Sequence, residues 1–310
     1  MKEQGNILIT GAYGFLGTHI AAIFNKAGYR VYGLGHDGPT AKKAKMFFTK
    51  QLFGTVNQKA ILDSNIRFAC IIHCAGASSV SFVENNACVS EKTTVESMQE
   101  VLNYIKVYSP ETKLVYISSA AVYGDTGNKL AEEHDSLKPI SLYGSHKKMC
   151  EDLCAYYCER YHLDIKIIRP FSVCGTNLRK QLIWDACNKF TKNQDTFWGD
   201  GNECRDWIHV EDVARLVLSV FEKKAESCIF NASNGLAVKN SELLSYVAMH
   251  FSTNINVKFN GITNLSDPKN LVGSVDRLHN ELNFTAKKSW RQIIDEYVLW
   301  YKNLKDEERA

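Results

Sequence analysis

Short apolar-rich runs alternate with longer amphipathic ones, a three-glycine turn follows the first run, and the pattern loosens beyond residue 170. Together these predict an α/β fold class: a Rossmann-like, doubly wound parallel sheet with a smaller, discontinuous C-terminal substrate lobe. The runs at 6–10 (NILIT), 30–34, 69–74 (ACIIHC), 113–118 (KLVYIS) and 164–169 (DIKIIR) have a strand's length. Helical periodicity separates them, notably at 19–27, 90–107 and 143–161. Strand, helix, strand at this spacing calls for right-handed crossovers, which cover both faces of a parallel sheet. Residues 171–206 are mixed and turn-rich, with a helix expected over 180–190. A strand pattern at 206–210 and a helical one at 211–221 return to the sheet domain, and the tail holds amphipathic helices at 241–251 and 289–300. The expected division is a dinucleotide-binding domain over 1–170, rejoined by 206–230, and a substrate-binding lobe made of 171–205 and 231–310. That lobe is expected beside the carboxyl ends of the strands, where open α/β sheets bind ligands.

Composition narrows the function classes. A 310-residue chain with 45% apolar residues and five prolines is ordinary globular material. Its net charge of +3 comes from interspersed acids and bases, which leaves no footprint for nucleic acid or a membrane surface. The opening MKEQGNILIT has no room for a signal peptide's apolar stretch, and no window approaches a membrane span. The ten cysteines form no CxxC pair. Cys150, Cys154 and Cys158 recur every fourth residue along one helical face, where they lack the usual metal-ligand hairpin and read as small buried hydrophobes. No metal is expected, and free thiols point to a reducing, cytoplasmic setting.

Thr10-Gly11-Ala12-Tyr13-Gly14-Phe15-Leu16-Gly17 joins the first strand to the first helix with the spacing GxxGxxG. Gly11 permits the sharp turn, Gly14 lets backbone approach a pyrophosphate, and Gly17 allows close helix–strand packing. The helix N-terminus supplies free N–H groups for the anion. Gly11, Tyr13, Gly14, Phe15, Leu16 and Gly17 are therefore candidate cofactor contacts. A tight turn with no ligand is the bland alternative, and the strand before and helix after weigh against it. At the end of the second strand an NAD site usually carries a carboxylate for the ribose 2′-OH. Gly35 stands there, followed by His36, with Asp37 two residues late. The missing acid leaves room for a 2′-phosphate faced by His36, Lys42 or Lys43, which favours NADP over NAD as the cofactor.

Tyr143-Gly144-Ser145-His146-Lys147 places Tyr and Lys on one face at the start of a helix. A neighbouring ammonium brings a phenol, with a free pKa near 10, toward the working range for acid–base work. Lys147 can also hold the hydroxyls of a cofactor ribose. An exposed helix face explains most chance YxxxK spacings. Here, Ser118-Ser119-Ala120-Ala121-Val122-Tyr123-Gly124 also closes a strand upstream and offers a hydroxyl to the reacting oxygen.

In this order, TGAYGFLG, HCAGASSV, SSAAVYG, YGSHK and CRDWIHVEDVA resemble the extended short-chain dehydrogenase/reductase family, over nearly the whole chain. The likeness is strongest to its nucleotide-sugar epimerases, reductases and dehydratases. The resemblance implies a catalytic set of Ser119, Tyr143 and Lys147. It implies that Ala75, Gly76, Ala77, Ser118 and Pro170 line the cofactor. Thr55, with Val56 beside it, stands where an adenine-contacting Asp belongs. Ser78, Ser119, Tyr143 and Ser172 are implied substrate contacts, and Arg205 is implied to grip a nucleotide diphosphate, its alternative being an ion pair with Asp206 or Glu203. Asp212 is implied to be structural.

Several positions depart from the family pattern. Ala120-Ala121 replaces the Asp-Glu pair that dehydratases use, so dehydration is not expected. Ser172 stands where many relatives have Asn, and a second phosphate-binding Arg is missing near Asp267, leaving Lys180, Lys269 or Arg277 to compensate. The implied activity is reduction of a 4-keto nucleotide sugar by hydride transfer. The alternatives are an NAD-dependent C4 epimerase and, in another class, a non-catalytic dinucleotide-binding regulator. The implied role is in cell-surface polysaccharide biosynthesis. The expected partner is a nucleotide-sugar substrate. A homodimer is expected through a four-helix bundle built on 90–107 and 143–161, by likeness to the family.

Overall fold

The computed structural model describes residues 5–252 and 255–304. Its main sheet has seven strands: β1 (Asn6–Thr10), β2 (Arg30–Gly35), β3 (Lys50–Phe53), β4 (Cys70–His73), β5 (Lys113–Ile117), β6 (Ile165–Pro170) and β7 (Ile229–Ala232). They run in parallel in the order β7-β6-β5-β4-β1-β2-β3. The principal helices are α1 (Phe15–Lys26), α2 (Ser97–Tyr108), α3 (Leu142–Tyr161), α4 (Gln181–Thr191), α5 (Val210–Glu222), α6 (Asn240–Met249) and α7 (Trp290–Lys302).

Alternation along β1 shows how the sheet is covered. Ile7 and Ile9 join Ile20 and Phe24 of α1 and Val213 and Val217 of α5 in one apolar layer. Leu8 faces the other way, into a layer with Met98 and Leu102 of α2 and Cys150 and Cys154 of α3. A strand buried on both faces must be apolar in both registers, and β1 is. The paired helices α2 and α3 leave Val107, Tyr108, Met149 and Tyr156 exposed on their outer side. A third core, built from Ile183, Phe190, Trp207, Leu243, Leu244 and Tyr297, lies among α4, α6 and α7.

The structure differs from expectation at five places, one of them the unanticipated edge strand β7. β3 was not anticipated, because its KQLF run is partly exposed and too short for a periodicity signal. The strand at 206–210 does not rejoin the main sheet; Trp207–His209 pairs in parallel with Ser172–Cys174 in a separate ribbon. The edge beside β6 is already taken by β7, so the strand stays outside the main sheet, while Ile208 and α5 pack onto the core of the sheet domain. Helix α1 begins at Phe15, four residues before the expected start at His19. Finally, the helix expected over 90–107 contains a π-helical turn, Lys92–Glu96.

Candidate active site

Strand order reverses between β1 and β4. At such a switch point the flanking loops diverge and open a crevice. A cleft of about 1820 Å³ lies there, bordered by loops after β1, β2, β4, β5 and β6 and by the segments around α4, Arg205 and 262–271. Of the residues expected to meet cofactor or substrate, all but Lys42, Lys43 and Arg277 border it.

The glycine turn forms one end of the cleft. Gly11 has φ +64°, and a Cβ there would meet the Ala75 amide nitrogen at 2.7 Å, so the turn is pressed against the loop after β4. At Gly17 a Cβ would lie 2.5 Å from the Gly11 carbonyl oxygen, which explains the close docking of α1 on the turn. Helix α1 starts without a side-chain cap, and Gly14, Phe15 and Leu16 face the cleft at its positive end. This is a cradle that side chains would fill, and it fits a pyrophosphate.

Tyr13 borders the cleft, but its hydroxyl is committed, donating to the Gly33 carbonyl at 2.8 Å and the Leu52 carbonyl at 3.1 Å. Burial pushes its phenol up to about 12. It therefore pins β2 to β3 and offers only its ring. Gly35, His36, Thr55 and Val56 form the wall beyond. A Cβ at Gly35 would sit 3.1 Å from the Tyr13 ring, so any side chain there must push that ring aside. Asp37 also borders the cleft, its carboxylate accepting the Gly38 N–H at 2.7 Å. Lys42 and Lys43 do not; both are exposed on the short helix Pro39–Ala44. Of the groups proposed for a 2′-phosphate, Lys42 and Lys43 are thus outside the cleft, while His36 and the Asp37 carboxylate are within it.

The loop after β4 carries Ala75, Gly76, Ala77 and Ser78 along the middle of the cleft. Behind it His73, fully buried, bonds through Nδ1 to Thr10 Oγ1 at 2.7 Å and lies 3.4 Å from Ser97 Oγ through Nε2. Burial and the nearby Lys147 charge hold its imidazole down at about 3, so it is neutral. This residue lies within the expected strand at 69–74, and nothing in the local pattern marked it as part of the site's support.

Opposite stand Ser119, Tyr143 and Lys147, which share the cleft wall. Tyr143 is half-buried on the first turn of α3, whose N-cap Ser141 accepts the Gly144 N–H at 3.1 Å. One turn on, Lys147 is 4% exposed and donates to the Ile117 carbonyl at 3.0 Å. Its ammonium lies 5.2 Å from the Tyr116 ring centroid. The buried charge is thus fixed at the end of β5, with no carboxylate partner among the described residues. Ser119 Oγ accepts the Ala121 N–H at 3.2 Å as it caps a short helical turn. Ser118 is different: its hydroxyl donates to Glu151 Oε1 at 2.5 Å and is 4% exposed, so it supports the wall from behind.

Glu151 leads into a buried network missed at the sequence level. Arg169 bonds both its oxygens, at 2.7 Å from Nη2 to Oε2 and 3.1 Å from Nε to Oε1. The same guanidinium donates to Tyr123 Oη at 2.7 Å, and Tyr123 donates to Asn231 Oδ1 at 2.7 Å. The ion pair ties α3 to the end of β6, where Pro170 and Ser172 enter the cleft. Glu151 lies one turn past Lys147, so its spacing was the available signal.

At the far end Arg205 pairs with Asp267 at 2.5 Å, with its side chain 11% exposed. It pairs with neither Asp206 nor Glu203. Asp206 is fully buried and accepts the N–H groups of Asn234, Gly235 and Gly273; burial raises it to about 6 against their opposing pull. Asp212 accepts the N–H groups of Lys287 and Lys288, an anchoring role. Of the compensating cations, Lys180 and Lys269 border the cleft. Arg277 does not; it lies 3.6 Å from Glu133 and donates to the Ile229 carbonyl.

A model of the NAD dependent epimerase/dehydratase family matches residues 7–233. A putative UDP-glucose 4-epimerase of Methanocaldococcus jannaschii is 27% identical over 313 residues, covering 96% of this chain and 98% of that protein. UDP-glucuronate 4-epimerase 6 of Arabidopsis thaliana is 27% identical over 228 residues, 68% of this chain and only 50% of the plant protein. Among solved structures, UDP-glucuronic acid 4-epimerase from Bacillus cereus, in complex with UDP-glucuronic acid and NAD, aligns with TM-score 0.85 at 21% identity, covering 97% of this chain and 100% of that one. With the phosphate turn, the Ser–Tyr–Lys wall and the family model in agreement, the chain belongs to the NAD dependent epimerase/dehydratase family.

Proposed function

We propose that this protein is an NAD-dependent C4 epimerase of a UDP-linked sugar. The observation that carries this reading is one continuous cleft holding the glycine cradle, the Ser119–Tyr143–Lys147 wall and Arg205. A 4-keto sugar reductase would use the same wall. The epimerase is preferred because the relatives described above are named as epimerases. NAD is preferred over NADP because Asp37 stands at the cleft wall while Lys42 and Lys43 lie outside it.

In this reading Gly11, Gly14 and the start of α1 hold the pyrophosphate of the cofactor, and Lys147 reaches its ribose. NAD, when bound, would supply the hydride acceptor and donor for the sugar carbon. Tyr143 removes the C4 hydroxyl proton as the carbinol is oxidised, and gives it back when hydride returns to the opposite face of the ketone. Ser119 donates to the same oxygen and keeps it aligned, while Arg205, steadied by Asp267, meets the diphosphate. The Lys147 charge favours the step in which negative charge gathers on the phenol oxygen.

An acidic sugar is the preferred substrate. Lys180 reaches Ser78, bonding its Oγ at 2.5 Å and its carbonyl at 3.2 Å, and burial lowers the ammonium's pKa. A cation held in a cleft by a hydroxyl and a carbonyl suits a sugar carboxylate.

The test is to incubate the protein, with the nucleotide released on denaturation identified, with UDP-glucose and UDP-glucuronic acid, and to follow the C4 epimers by NMR. Release of NAD and interconversion at C4 are expected. Tyr143→Phe should cut turnover by about 10²–10⁴-fold, the usual share of a general acid–base group, and leave NAD bound. Net consumption of added NADPH without epimer formation would return the reductase reading to first place.

A further inference from the structure

The helical segment that precedes and includes α2 carries a π turn at Lys92–Glu96, between the short helix Ala87–Glu91 and α2 itself. A π turn admits an extra residue and loosens the backbone ladder, and such turns gather at functional sites. This one faces the cleft loop after β4. Gly76 holds φ +135°, and a Cβ there would lie 3.0 Å from Thr94 Oγ1, so the loop backbone runs directly against that side chain. Thr94 Oγ1 accepts the Ala77 N–H at 3.0 Å. Thr94 is 2% exposed and Ala77 8%, so the bond is largely shielded from water although Ala77 borders the cleft.

The other side of the same residue touches the catalytic helix. The Thr94 carbonyl accepts the Cys150 thiol at 3.5 Å, three residues past Lys147 on α3. Nearby, Ser90 Oγ and His146 Nδ1 lie 2.8 Å apart, next to Lys147 in sequence. Ser97 Oγ donates to the Thr93 and Thr94 carbonyls at 2.7 and 3.2 Å, which occupies groups the π turn frees. The first thiol of the Cys150–Cys154–Cys158 ladder thus holds a specific contact at this junction.

We propose that Thr94 is a positioning residue: through its hydroxyl and its carbonyl it ties the Ala75–Ala77 loop to the helix bearing Tyr143 and Lys147. It sets the distance between cofactor and proton donor. The inference rests on the reading that NAD lies in this cleft.

Thr94→Val is the central test, because it keeps the branched shape and removes the acceptor. NAD measured by calorimetry should bind about tenfold more weakly, the equivalent of one buried hydrogen bond. Turnover should fall by about one to two orders of magnitude, as expected when reacting groups slip out of register. Thr94→Ser, which retains the hydroxyl, should restore both. UDP binding, centred on Arg205, should stay unchanged in both variants. Wild-type protein that binds no NAD would dispose of the cofactor reading before any variant is compared. With NAD binding established, wild-type behaviour of Thr94→Val, or equal impairment of Thr94→Ser, overturns the proposal. Should Thr94→Val fail to fold, amide exchange at Ala77 in the native protein decides: slow exchange that slows further with NAD is expected. Exchange at the rate of an open loop overturns it.

Discussion

Lys180 illustrates what a single side chain decides in this cleft. Its ammonium has a hydroxyl and a carbonyl as partners and is partly desolvated, whereas Arg205 is already matched by Asp267. Hydrogen bonds to a charged group contribute about 1.5–3 kcal/mol. Lys180→Met should therefore lower kcat/KM for UDP-glucuronic acid by about 10- to 100-fold and leave UDP-glucose nearly untouched, as steady-state kinetics on both sugars will tell. Equal losses on the two would place Lys180 on the diphosphate. At this scale, what sequence revealed was what spacing encodes. Three glycines between strand and helix, and a Tyr–Lys pair four apart, carry their geometry within a few residues. The Lys180–Ser78 contact joins residues 102 apart, and the Thr10–His73 bond joins residues 63 apart, so no local pattern could announce either.

Elements explain why those side chains stay in place. Helix α3 presents Tyr143 and Lys147 on its first two turns and then sends Glu151 back to Arg169 at the end of β6. Both members of that pair are at most 5% exposed. Removing one partner from a buried ion pair leaves the other charge stranded and costs about 3–5 kcal/mol. Glu151→Ala should lose about that much stability in urea denaturation; Glu151→Gln, which keeps the Ser118 contact, should lose less. A loss below about 1 kcal/mol in Glu151→Ala would mean the network is solvated and does not brace the site. Five of the seven main strands were legible, since buried parallel strands must be apolar on both faces. β3 was not, because half of it is wet, and β7 was not, because IFNA resembles any short apolar run. The π turn at Lys92–Glu96 escaped because its residues fit an ordinary helix as well.

For the molecule as a whole, acid should weaken the fold through His73. Its pKa is depressed to about 3 in the folded chain and is near 6.5 when unfolded, so the native state favours the neutral ring. Its contribution is complete above pH 6.5 and drains away as pH falls toward 3. Between pH 6.5 and 5 the loss should be about 2 kcal/mol, at 1.36 kcal/mol per pH unit. His73→Asn should flatten that part of the stability curve measured by denaturant titration; an unchanged slope would show that His73 does not link protons to folding. The order β7-β6-β5-β4-β1-β2-β3 has a consequence for how the chain is made. β1 finds β2 within about two dozen residues, but its other edge pairs with Cys70–His73, 63 residues downstream. On a ribosome adding about 5–20 residues per second, that edge stands open for several seconds. During that interval Ile7, Leu8 and Ile9 form an apolar strand with one unpaired edge, a template for strands of neighbouring nascent chains. The interior position that shields both edges of β1 in the finished protein leaves one of them open during synthesis.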